Sequence, residues 1–223
     1  METIVLPTSI HTITKYSFKG SKTKNIERIV LHDNITDIEP YAFWECKAFC
    51  EIIDKGIELH DNSLRRFLGL YSIRFDDSRT KIPACCCCEC SSLVDVKFPT
   101  ALKEIGISAF DGCKSLTSVC LPNGLETIET NAFYFCSSIR QVTLPATIKR
   151  IGRLAFMNSP IESLFCYIKD PEKVEIEDDE DSMFLNTVFQ NCNLFVPKDS
   201  LELYKEHDIF KYFNHINPMV SNV

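Results

Sequence analysis

Five of the chain's twelve cysteines fall at Cys85, Cys86, Cys87, Cys88 and Cys90. Thiols at that density can ligate a soft metal, exchange disulfides, or fill a core as small apolar groups. Zinc sites usually draw two C-x₂₋₄-C pairs from separate arms. Here Cys85 with Cys88, and Cys87 with Cys90, share one short loop, so four ligands could surround an ion only with strain. The histidines His11, His32, His60, His207 and His215 occupy unrelated positions in the pattern described below, which argues against a histidine metal site. Glu175, Glu177, Asp178, Asp179, Glu180 and Asp181 form an acidic run without the glycine that bends a calcium loop. It reads as a solvated loop. No phosphate-binding loop, nucleophile elbow, dinucleotide fingerprint or H-E-x-x-H is present, so no residue stands out as catalytic and no cofactor is implied.

These residues must be positioned by a repeat. Pro99, Pro122 and Pro145 recur at intervals of 23, as do Ile105, Ile128 and Ile151, and Phe110, Phe133 and Phe156. A fixed period of about 20 to 29 residues marks a solenoid, whose coils bury their apolar sides only by stacking on one another. Val119 and Leu121 alternate with Ser118 and Cys120, the period of two expected of a short strand with one buried face. Pro122 then ends the strand, because proline cannot donate to a ladder. Ala132 and Phe133 fall in a turn or short helical piece across the coil, where the phenyl ring stacks on its neighbours above and below.

The frame extends backwards through Ile82, a degenerate coil between Cys50 and Leu70, Ile38 and Ile13, giving seven coils. In the degenerate coil Leu59, Leu64 and Phe67 take the isoleucine, phenylalanine and cysteine slots. Cys86 and Cys87 occupy the Ala-Phe slots, and Cys90 falls in a column with Cys46, Cys113 and Cys136. Packing therefore explains the cysteines better than metal or redox chemistry does. Thiols stacked about 4.8 Å apart are close enough for a disulfide, but their parallel Cβ vectors disfavour one. Cys120 differs, because its strand position points outward.

The surface available to a partner is the outward side of the strand ladder. The frame places Val5, Val30, Glu51, Arg74, Lys97, Cys120 and Thr143 in a central row, with Arg28, Ser72, Asp95, Ser118 and Gln141 in a second. Neither row carries a Trp or Tyr anchor of the kind that dominates interfaces. Arg74 beside Lys97 points to an acidic partner.

The register L-x-x-I-x-I-P-x-x-V-x-x-I-x-x-x-A-F-x-x-C resembles the BspA-type leucine-rich repeat. Leu116, Val119, Leu121, Pro122, Leu125, Ile128, Ala132, Phe133 and Cys136 all fall in place. The departures are His32 and Asp76 for proline and Cys87 for phenylalanine. The resemblance implies an α/β solenoid, a right-handed stack of about seven coils of 21–25 residues over residues 1–160, each coil a short strand with a turn or short helix. Beyond Pro160 the period stops. Asn193 to Met219 resembles the C-terminal cap of BspA-type proteins of Bacteroidales, with Val196-Pro197 ending a strand and Leu201 to Lys205 in a helix. Residues 161–223 therefore read as an α+β capping segment, with Asp199 as helix N-cap and Glu202 as its reciprocal partner.

Of the 223 residues 45% are hydrophobic and 25% charged, and the net charge is −7. That balance offers no electrostatic footprint for nucleic acid or an anionic membrane, and no stretch is long enough to insert in one. The family likeness implies a non-enzymatic interaction or adhesion module at the cell surface, binding a protein or other macromolecule. METIVLPTSI enters the repeat at once, without the basic start and apolar stretch of a signal peptide. That, with the thiol-rich interior, favours the alternative of a cytoplasmic scaffold. A third reading is a metal- or redox-responsive protein built on Cys85 to Cys90.

Overall fold

The structure is a computed structural model that describes residues 2–20, 25–177 and 183–219. Asp178, Asp179, Glu180 and Asp181 of the acidic run lie outside the described residues. Each coil contributes one longer strand and one two-residue strand, and every strand pairs in parallel with its counterparts in adjoining coils. The longer strands form a ladder in three pieces. Glu2–Val5 pairs with Ile26–Val30; Cys50–Ile53, Leu70–Arg74 and Asp95–Lys97 pair in turn; and Ser118–Cys120, Gln141–Leu144, Ser163–Cys166, Asn193–Val196 and His215–Pro218 form the last run. A single bridge from Arg28 to Phe49 joins the first two pieces. The short strands make a second ladder that runs from Thr12–Ile13 to Glu58–Leu59, and again from Lys81–Ile82 to Glu175–Ile176.

A third hydrogen-bonded column closes each coil, and it is built from turns. The amides of Asn62, Leu64 and Arg66 donate to the carbonyls of Ala84, Cys86 and Cys88, and those of Ser108, Phe110 and Gly112 donate to Thr130, Ala132 and Tyr134. The expected choice between a turn and a short helix thus resolves to a turn. Each turn uses two residues in the left-handed region. One column contains Asn62, Cys85, Ser108, Asn131 and Leu154, and the other contains Arg66, Glu89, Gly112, Phe135 and Asn158. Left-handed backbone costs a non-glycine residue roughly 1–2 kcal/mol. Stacked amide–carbonyl bonds to the next coil hold it there.

The core is a continuous column along the stack. Phe18, Phe43 and Phe67 stack at 5.2 and 4.3 Å, and Phe110, Phe133, Phe156 and Phe184 at 5.4, 5.3 and 5.8 Å. Such pairs contribute about 0.5–1.5 kcal/mol beyond the area they bury. Cys87 interrupts the column because a thiol is smaller than a phenyl ring. Phe75 and Phe98 compensate: they hold the strand position that is leucine in Leu121 and Leu144, and they meet Phe110 edge-on at 6.4 and 5.5 Å.

The ladders continue where the sequence period is lost. Ser163–Cys166 pairs with Gln141–Leu144, Ile176 pairs with Ile151, and Phe184 extends the phenyl column, so the seven coils are followed by an eighth. The α-helices among the described residues come only after it, at Asn186–Asn191 and Leu201–Glu206. The expectation for Asp199 is corrected. The chain enters the helix through a single tight turn at Lys198–Ser200, the N-cap position falls on Ser200 without a side-chain bond, and Glu202 pairs with Lys205 at 2.7 Å.

Candidate functional site

The outward ladder residues are largely where the alternation puts them. Val5, Arg28, Glu51, Arg74, Asp95, Lys97, Cys120 and Gln141 are exposed, and Val30, Ser72 and Thr143 are partly so. Their rows differ from the sequence frame. Glu51 stands opposite Ser72, and Ser72 opposite Asp95, whereas Arg74 and Lys97 share a row with Ile53. Glu51 is therefore not in line with Arg74. The cause is a slip of two residues at the degenerate coil. Ile52 pairs with Ile73, a step of 21, while the isoleucine slots Leu59 and Ile82 are 23 apart. The short-strand ladder breaks at the same place, between Glu58–Leu59 and Lys81–Ile82.

A buried ion pair holds the slip. The Asp54 side chain has no exposed surface. Its Oδ1 accepts the Gly56 and Ile57 amides at 3.0 and 2.7 Å, and its Oδ2 accepts the Asp76 amide at 3.2 Å and Arg79 Nε at 3.0 Å. Arg79 also donates to the Ile57 carbonyl at 2.5 Å. Neither residue drew attention in the sequence, because their bond spans 25 positions and no motif connects them.

Two hollows flank this junction. On the ladder face an open depression of about 550 Å³ is lined by Glu51, Ile52, Ile53, Ser72, Ile73, Arg74, Asp95, Val96 and Lys97. Glu51 is answered by Arg28 at 3.6 Å. Arg74, Asp95 and Lys97 form no ion pair among the described residues, so the depression presents two adjacent cations and one carboxylate to solvent. At the short-ladder break a second hollow of about 600 Å³ is lined by Pro40, Leu59, His60, Asp61, Arg79, Lys81 and Pro83. Beside it His60 Nε2 lies 2.9 Å from Asp37 and 4.0 Å from Glu58, and the three offer ligand atoms within 4.8 Å of one another. The histidine columns hid this meeting, since its other members are carboxylates.

None of the twelve cysteines is in a disulfide, and Cys120 is exposed as its strand position requires. The cysteine column is more than packing. The thiols of Cys90, Cys113 and Cys136 donate to the carbonyls of Leu64, Cys87 and Phe110 in the preceding coils at 3.0, 3.2 and 3.1 Å. Ser159 makes the same bond to Phe133 at 2.8 Å, which explains why serine can replace cysteine there. Burial pushes other thiols up, Cys50 and Cys192 to about 12 and Cys166 to about 11, so they stay protonated.

The chain's one tryptophan lies on the turn edge, away from the ladder rows, with Arg66 and Arg65 4.9 and 5.9 Å from the Trp44 ring. Arg65 and Arg66 reach Glu89 at 3.4 Å, and Arg66 reaches Glu45 at 3.3 Å. In the acidic run, Glu177 is tied to Arg150 by a short ion pair, which holds its carboxyl below the usual range. Glu175 lies 3.8 Å from the same guanidinium, so this part of the run is structural.

Stacked parallel ladders on an apolar column define a leucine-rich-repeat solenoid. The profile of the BspA type Leucine rich repeat region matches in six copies across residues 1–62 and 57–196, and the chain belongs to that family. Among solved structures it is similar to a leucine-rich repeat protein from Bacteroides ovatus, at 17% identity with a TM-score of 0.58, over 97% of this chain and 69% of that one. A leucine-rich repeat protein from Eubacterium ventriosum is 27% identical with a TM-score of 0.59, over 70% of this chain and 42% of that one. A leucine rich cell surface protein from Faecalibacterium prausnitzii is 18% identical with a TM-score of 0.51, over 74% of this chain and 60% of that one. The chain thus spans less than two thirds of the latter two proteins. No curated protein matches it. No helix among the described residues is long and apolar enough to cross a membrane.

Proposed function

We propose that this chain is a non-enzymatic interaction module that binds a macromolecular partner, in an adhesive role, through the ladder face between Glu51 and Lys97. The observation that carries the reading is the depression at the slipped register, where Arg74 and Lys97 stand side by side with no ion partner among the described residues. Two adjacent cations with a neighbouring apolar Ile53 suit an acidic protein or polyanionic glycan surface better than a neutral one. The flanking rows Arg28, Val30, Cys120, Thr143 and Gln141 extend the face along the stack. The segment after the eighth coil acts as the capping end. There His215–Pro218 is the last strand of the ladder, and Phe213 packs on Phe184 and Phe189 at 5.7 and 5.0 Å.

The likeness to a cell-surface protein supports display outside the cell. Twelve cysteines outside any disulfide favour a second reading, a cytoplasmic scaffold of the same fold, because oxidising compartments favour disulfides. A photo-crosslinker at Ser72, compared with one at Lys149 on the opposite ladder, tests the face. Crosslinks to a partner only from Ser72, lost in the Arg74→Ala/Lys97→Ala double variant and weakened by salt, are the expected outcome. Equal crosslinking from both positions, or binding untouched by the double variant, removes the ladder face as the site.

A further inference from the structure

The cysteine run separates into two sets. Cys87 lies fully buried in the core beside the buried thiols of Cys86 and Cys90. Cys85 and Cys88 form a pair of their own at the two ends of one turn: Cys85 is partly exposed, Cys88 is only 3% exposed, and each thiol perturbs the other. The Cys88 amide donates to the Cys85 carbonyl at 3.2 Å, closing a four-residue turn. The Cα atoms at the ends of such a turn lie within about 7 Å, close to the span a disulfide bridges. Cys85 begins the turn in the left-handed region, at φ 53°.

A cation from the preceding coil completes the cluster. Arg65 is the positive group facing both thiols. Its Nε is buried without a hydrogen-bond partner, and its other nitrogens make only long bonds, 3.3 Å to Asn62 Oδ1 and 3.4 Å to Glu89 Oε1. The guanidinium therefore retains capacity for a further negative partner on this side. The acidic groups around Cys85 are Asp61 on the preceding coil and Asp111 on the following one.

We propose that Cys85 and Cys88 are a thiol–disulfide exchange pair, Cys85 attacking and Cys88 resolving, with a low-molecular-mass disulfide as the oxidant. The Cys85 thiolate attacks one sulfur of the disulfide, forming a mixed disulfide and releasing one thiolate. Cys88 then loses its proton to solvent and attacks Cys85 Sγ, which forms the Cys85–Cys88 bond and releases the second thiolate. The protein loses two protons and two electrons, and the small disulfide takes up both to become two thiols. The pair is set up as exchange requires. The neighbouring Cys88 thiol and the Arg65 charge bring Cys85 down from 9.0 to about 7, against burial and the two aspartates. The Cys85 thiol, with burial, pushes Cys88 up. At neutral pH Cys85 is then about half thiolate where an ordinary thiol is about 3%. The lower intrinsic nucleophilicity of a weaker base returns roughly fivefold, leaving about a threefold advantage.

The test uses the full chain with oxidised glutathione near pH 7, followed by peptide mass mapping. The expected product is a bridge between Cys85 and Cys88, with the core thiols still reduced. Cys88→Ser should accumulate glutathione on Cys85, because nothing resolves the adduct, and Cys85→Ser should take up none in the cluster. The pH profile of iodoacetamide labelling of unmodified protein needs no variant, and at Cys85 it should have its midpoint near 7. A midpoint near 9, a bridge elsewhere in the run, or the same products from both variants overturns the proposal.

Discussion

Asp54→Ala should be among the most damaging single substitutions in this chain. The carboxylate accepts three backbone amides and both near nitrogens of Arg79, with no solvent to replace it. Removing one partner of a buried pair costs about 3–5 kcal/mol, because the other charge is left without compensation. Arg79 retains 16% exposure and its bond to the Ile57 carbonyl, which places the expected loss near the lower end, about 3 kcal/mol. Asp54→Asn separates the two halves of the clamp. An amide oxygen can still accept Gly56 and Ile57, but its NH₂ would face the Asp76 amide and Arg79, donor against donor. We expect about 2 kcal/mol for it, consistent with buried bonds to a charged group. Urea unfolding followed by circular dichroism gives both values. Adding Arg79→Met to Asp54→Ala should cost little more than Asp54→Ala alone, since the orphaned charge is gone. If Asp54→Ala loses under 1 kcal/mol, or the two substitutions are additive, then the clamp does not hold the slip and the reasoning fails.

Other consequences are equally measurable. Cys136→Ser should cost under about 1 kcal/mol because a hydroxyl can make the bond to Phe110 that Ser159 makes to Phe133, whereas Cys136→Ala should cost about 1–2 kcal/mol more; chemical denaturation decides. Burial and Glu89 raise the Asp111 carboxyl from 3.8 to about 6, against Arg65. Its folded value lies above its unfolded one, so its contribution is full below about pH 4 and is lost as pH rises through 6. Asp111→Asn should flatten stability across that window and add roughly 2 kcal/mol at neutral pH, discounting the full linkage for partial exposure. Gly152→Ala should lower the melting temperature by several degrees, since a Cβ there would sit 2.7 Å from the Glu129 carbonyl carbon, rigid backbone that cannot give way. An unchanged melting temperature would show that the coils can part.

How far the sequence is legible depends on whether a feature repeats. Ile105, Ile128 and Ile151 pair as a column, and Phe110, Phe133 and Phe156 stack as one, so their spacing alone predicted their contacts. The left-handed turn columns repeat as faithfully, yet Asn62, Cys85, Ser108 and Leu154 share no residue type that signals positive φ. The eighth coil was missed because Phe184 follows Ile176 by eight positions, where Phe133 follows Ile128 by five. At the candidate site the exposed residues were legible from alternation, but their rows were not. The sequence holds two spacings at the degenerate coil, 21 from Ile52 to Ile73 and 23 from Leu59 to Ile82. A single frame can honour only one of them.

The two spacings bear on where function resides. A regular solenoid presents the same surface at every coil, so a specific site needs a break in the regularity. Here the breaks cluster. The two-residue slip, the Asp54–Arg79 clamp, the gap in the short ladder and the replacement of phenylalanine by Cys87 all fall between Cys50 and Cys90. The slip aligns Ile53, Arg74 and Lys97 beside Glu51, Ser72 and Asp95, and so shapes the depression on one face. On the turn edge of the same coils, Arg65 stands between Trp44 and the Cys85–Cys88 pair. A solenoid of identical coils would have neither feature. The coil that fits the repeat least is therefore where the proposed partner would have the most to recognise, and on that proposal restoring it to consensus length should abolish binding in a pull-down while raising the melting temperature.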